Sequence, residues 1–180
     1  KLYSSITVGR LSPQKNHMAI LESIASKPRC TSLKPLLFVG KGPCRDSLID
    51  FAFFHNIPLK IISSVPNESI VELLNMSHFY AHCSTFEGHP KALLEALSVG
   101  IPVLSIHNNR LKHLFGDSNC LTFSSSESFA DFYTCLPSSA PGSPDISFNA
   151  RSFIQTHYSL QNRVLTLCHD IVKLSRLFTT

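Results

Sequence analysis

Several chemistries are excluded by what these 180 residues omit. No C-x-x-C pair occurs: Cys30, Cys44, Cys83, Cys120, Cys135 and Cys168 stand singly, without a Cys/His grouping at zinc spacing. The expected state is free thiols in a reducing cytoplasm. No apolar run reaches the roughly 18 residues that a membrane span needs, and no signal segment reads at the start. The 16 basic residues never run together, which argues against a nucleic-acid arm. Neither the G-x-G-x-x-G fingerprint nor the Walker pattern is present. Charged residues make only 16%, a low share for a wholly wet surface, so a partner domain is expected to cover part of it. The chain opens at Lys1 and enters a strand-like segment at once, which reads as a piece of a longer protein.

What is present is alternation. Hydrophobic residues make 43% of the chain, enough for a sizeable core, and they fall into short runs separated by helical periodicity. Strand-like runs are "SITV", "PLLFV", "LKII", "HFYAHCS", "IPVLSI" and "CLTF". Between them lie helical patterns from His17, through "CRDSLIDFAFFHN", over "NESIVELLN" with Asn67 as its cap, and near Leu111 to Phe115. Such alternation predicts an α/β fold, a Rossmann-like doubly wound parallel sheet. "PSSAPGSP" reads as a flexible loop over about 137–148, followed by two helices over about 148–178. The whole of 1–180 reads as one domain.

Ligands in such sheets lie at the carboxyl ends of strands. Three loops qualify: "GRLSPQKN" with Gly9, Arg10 and Lys15; "GKGP" from Gly40; and "FEGHP", which opens the helix "KALLEALSV". Glycine lets backbone approach a ligand, and a helix start offers free N–H groups to an anion. With the two cations this describes a diphosphate site, although glycines that merely turn corners and solvated cations would read the same way. Glu87 and Glu95 lie eight positions apart, one before this helix and one inside it. Pro90 suits its first position and Gly100 its stop. Glu95 sits between Leu94 and Ala96, which predicts a buried carboxylate in need of a partner.

"VGRLSPQKNHMAILESIA", "LLFVGKGP" and "STFEGHPKALLEALSVGIPVLS" resemble, in this order, the C-terminal lobe of group 1 glycosyltransferases, the family 4 retaining enzymes of the two-lobe GT-B fold. The resemblance covers nearly the whole chain, and Glu87 with Glu95 matches that family's E-x7-E signature. It implies a donor-binding lobe whose ligand is a UDP-, GDP- or ADP-sugar. Arg10 and Lys15 would hold the diphosphate, Glu95 the ribose hydroxyls and Glu87 the donor sugar. Arg10, Lys15 and Glu87 are then the catalytic set. The backbone of Gly9, Gly40, Gly88, His89, Pro90, Lys91, Ala92, Leu93 and Leu94 would approach the sugar and phosphates, and Val65 the base. His89 stands where the family places a phenylalanine. His78, His82 and His107 read as core or surface residues.

No D-x-D pair occurs, so the resemblance implies transfer with no metal and no other cofactor. It also implies a separate N-terminal acceptor lobe, low activity for this lobe alone, and a cytoplasmic setting with peripheral association at the inner membrane face. Bacterial surface polysaccharide or lipopolysaccharide assembly is the expected context. Two alternatives remain open at this level: a non-catalytic nucleotide-sugar-binding lobe, and a nucleotide-sugar 2-epimerase of the same fold.

Overall fold

The computed structural model describes residues 1–26, 34–88, 90–106, 109–115, 122–124, 133 and 144–159. The apolar runs form strands β1 (Tyr3–Val8), β2 (Leu36–Val39), β3 (Leu59–Ile62), β4 (Ser77–His82), β5 (Val103–Ile106) and β6 (Thr122–Ser124). The periodic segments form helices α1 (Met18–Ala25), α2 (Arg45–Phe54), α3 (Asn67–Asn75), α4 (Lys91–Val99), α5 (Asn109–Phe115) and α6 (Pro144–Tyr158). One sheet results, in the order β3-β2-β1-β4-β5-β6, with every pairing parallel. This is the expected doubly wound α/β fold. Its order reverses between β1 and β4, where a crevice opens above the strand ends.

Strand alternation divides the core between the two faces. Leu37, Val39 and Tyr80 pack with Leu93, Leu97 and Phe115 on the side of α3 to α6. Leu36, Phe38 and Phe79 pack with Ile20, Leu21 and Leu48 on the side of α1 and α2. Both layers are sealed, as parallel sheets require.

Three sequence expectations are corrected. Asn67 is the first residue of α3, and Pro66 occupies the cap position without a side-chain bond. Pro90 likewise stands just before α4 rather than in it, and Gly100 ends that helix at φ 78° as expected. The loop expected over 137–148 gives way at Pro144, where α6 already begins; residues 134–143 lie outside the described ones. Helix α6 packs on α4 and α5. Arg151 there donates to the Val99 carbonyl at 2.6 Å, and Phe153 lies 5.5 Å from Phe115. The second C-terminal helix lies outside the described residues. Cys44 and Cys83 are free thiols, as expected.

Candidate functional site

The crevice between β1 and β4 holds an open pocket lined by the ends of both strands, by Lys15 and His17, and by the start of α4. Its walls are joined through the backbone. After Ser12 a short 3₁₀ turn, Pro13–Lys15, ends on Asn16 in the left-handed region at φ 50°. The Gln14 carbonyl accepts from the Thr85 amide at 3.0 Å, and the Gln14 side chain donates to the Phe86 carbonyl at 3.1 Å. The Cys83 thiol donates to the Lys15 carbonyl at 3.2 Å, so the first loop is laced to the loop carrying Glu87. Lys15 is thereby held over the crevice.

Lys15 Nζ meets Glu87 Oε1 at 2.5 Å, across 72 residues of sequence. Glu87 is only 5% exposed, and His82 Nε2 approaches the same oxygen at 3.8 Å. Burial would raise the Glu87 pKa, but hydrogen bonds from Lys15 and Ser84 and the nearby positive charge outweigh it. The carboxyl is held below the ordinary glutamate value. His17 is pushed down to about 4 by burial first, then by the charges of Lys15 and His82. His82 is lowered too, by burial and Lys15, with Glu87 opposing. Burial pushes the Cys83 thiol up to about 12, which leaves it protonated and inert.

Glu95 is not the fully buried carboxylate that its sequence neighbours predict. Glu95 is 38% exposed and pairs with Lys91 at 3.4 Å on the outer face of α4. The loop residue Glu87 is the buried one. On a 3.6-residue helix, Leu93, Ala96 and Leu97 turn inward while Lys91 and Ser98 turn out, with Glu95 half-buried between them.

Of the predicted site residues, the crevice brings together Lys15, Glu87, Pro90, Lys91, Ala92 and Leu93. The start of α4 has no side-chain cap, and its first internal bond is Leu94 N–H to the Pro90 carbonyl at 3.0 Å. The amides of Lys91, Ala92 and Leu93 therefore have no acceptor within the helix, at its positive end. Gly9, Arg10, Gly40, Gly88, Val65, Leu94 and Glu95 are not in the pocket wall. Arg10 and Gly88 are exposed, and Val65 packs against the core. Gly9 and Gly40 serve the framework: a Cβ at Gly40 would overlap the Gly9 carbonyl, so the two loops abut backbone to backbone. His89 lies outside the described residues.

Sequence reasoning missed Thr7, Tyr80, Ser84, His17 and His82, which all line the pocket. Two signals were available. His82 closes a strand at its carboxyl end, and His17 follows Lys15 by two positions in a ligand-side loop.

Residues 2–132 match the family described as glycosyl transferases group 1. The chain belongs to that family. A Campylobacter jejuni member, N-acetylgalactosamine-N,N'-diacetylbacillosaminyl-diphospho-undecaprenol 4-alpha-N-acetylgalactosaminyltransferase, is 29% identical over 113 residues, which are 62% of this chain and 30% of that one. This chain thus spans less than a third of that relative's length. The fold is shared with Anabaena HepE, solved with UDP and glucose, at TM-score 0.74 and 18% identity over 94% of this chain and 48% of that one. It is shared as well with the C-terminal domain of the group 1 protein LpcC from Francisella tularensis, at TM-score 0.71 and 17% identity over 88% of this chain and 87% of that one. The resemblance read from the motifs is thereby borne out, and so is the sheet architecture.

Proposed function

We propose that residues 1–180 form the donor-binding C-terminal domain of a retaining glycosyltransferase, which moves a sugar from a nucleoside diphosphate to an acceptor held by a separate N-terminal lobe. The observation that carries this is the ion pair of half-buried Lys15 with buried Glu87, beside the start of α4, which has no side-chain cap, at the sheet's switch point. The helix start and the exposed Arg10 receive the diphosphate, with Lys15 at its inner side. Glu87 accepts hydrogen bonds from the donor sugar, and Glu95, open on the outer edge of α4, accepts from the ribose diol. Val65 and the Gly40 loop border the base.

As the glycosidic bond breaks, negative charge gathers on the departing diphosphate. Fixed cations and amides stabilise that charge in place of a divalent metal. UDP-, GDP- and ADP-sugars are the candidate donors, and the HepE complex with UDP supports this class. The undecaprenol-linked acceptor in the Campylobacter relative's name supports work at the inner membrane face in surface glycan assembly.

Calorimetry with UDP, GDP and ADP on two variants tests the division of roles. Glu95→Gln loses charge-assisted bonds to ribose and should weaken the nucleotide by roughly 1.5–3 kcal/mol. Glu87→Gln should leave the free nucleotide nearly unchanged while lowering affinity for the nucleotide sugar. Equal weakening of the free nucleotide by both variants would refute this assignment.

A further inference from the structure

Two imidazoles in the pocket wall have a buried nitrogen without a hydrogen-bond partner: Nδ1 of His17 and Nε2 of His82. His17 is 3% exposed and His82 4%. Buried polar atoms are nearly always paired, so two orphans in one cavity mark a place where something else completes the bonding. Neither ring is ordinary core. His17 precedes α1 and leans on Phe38 at 5.2 Å, while His82 ends β4 with Nε2 directed at Glu87 Oε1 from 3.8 Å. That gap is too long for a direct hydrogen bond. It suits an inserted hydroxyl that bonds to both groups.

Charge decides the chemistry of the occupant. Lys15 and Glu87 already offset each other at 2.5 Å, and both imidazoles are held neutral beside them. A neutral floor of this kind favours uncharged hydroxyls over a phosphate, whose place is the helix start a few residues away.

We propose that His82 is a specificity-determining contact for the donor sugar: its Nε2 and Glu87 Oε1 together hold one sugar hydroxyl, with His17 completing the polar floor. This rests on the nucleotide-sugar reading and adds to it a residue that sets which sugar is accepted. A hydroxyl correctly oriented on the ring bridges the two groups, and its epimer leaves both unsatisfied.

The test uses the full chain and calorimetry. The probes are UDP-glucose, UDP-galactose, UDP-N-acetylglucosamine, GDP-mannose and ADP-glucose, each beside its free diphosphate. For whichever pair the unaltered chain binds, His82→Leu should weaken the sugar-bearing form about tenfold and leave the free diphosphate within twofold. His82→Gln, which keeps a polar atom near the Nε2 position, should recover part of the loss. It also covers the case in which the leucine variant does not fold. If His82→Leu and His82→Gln left the sugar-bearing form unchanged, or weakened both forms alike, the His82 assignment would be wrong while the site reading stood. If the unaltered chain bound no probe, the nucleotide-sugar reading itself would fall, and the His82 role with it.

Discussion

Glu87 and Glu95 show where sequence reasoning succeeds and where it stops at the scale of one side chain. Their spacing pointed to the right helix. Which of them is buried could not be read from neighbours such as Leu94 and Ala96, because adjacent residues on a helix face different directions. Burial follows Leu93, Ala96 and Leu97 instead, and leaves Glu95 half-buried. The buried histidines were passed over for a related reason. A lone His carries no spacing signal, and only the fold brings His17 and His82 to one cavity.

These histidines also set a pH response. The folded pKa of His17 lies at about 4, against 6.5 when unfolded, and His82 is lowered in the same sense. Between those values the unfolded chain binds more protons, so their contribution is complete above pH 6.5 and is lost as pH falls toward 4. The depressed carboxyl of Glu87 extends the loss below its ordinary value, in the same direction. Unfolding free energies from urea titrations should therefore fall across this window, by on the order of 3 kcal/mol for His17 alone. His17→Leu should flatten that slope, and an unchanged slope would show that the ring is not buried neutral.

At the scale of elements, strands and most helices follow from apolar periodicity, and the errors gather at helix starts. "PSSAPGSP" has the composition of a loop, yet its last proline opens α6, because a fixed φ near −65° suits a first helical turn. Pro66 takes the cap position that Asn67 was expected to fill.

The glycine loops give a sharper test. At Gly40 an added methyl meets the Gly9 carbonyl, a rigid backbone atom, at φ 155°. At Gly100 it meets the end of the Arg151 side chain, which can move, at φ 78°. Gly40→Ala should cost at least ~3 kcal/mol through overpacking and strain, and Gly100→Ala only about 1 kcal/mol. Thermal unfolding of both variants checks the order, and a reversal would mean that the two loops do not abut. Gly40 was expected to face the ligand, and the sequence could not reveal that its neighbour is another strand-end loop.

For the whole molecule, the parallel sheet places the ends of β1 and β4 side by side, so residues 72 positions apart form one ion pair. The strand and helix alternation predicted this architecture, and the family match over residues 2–132 agrees with it. Docking of α6 was harder to foresee. Its apolar residues could have faced a partner lobe, but Phe153 and Tyr158 close over Phe115 instead. Among the described residues no helix is long and apolar enough to cross a membrane.

The nucleotide reading depends on cations, amides and the α4 start acting together without a divalent ion. Calorimetric titration of the full chain with UDP, GDP and ADP, in EDTA and again in excess magnesium, tests this most directly. At least one of the three should bind, with the same affinity in both buffers. Binding that appears only with magnesium would contradict the metal-free diphosphate site, and no binding of any of the three would contradict the site altogether.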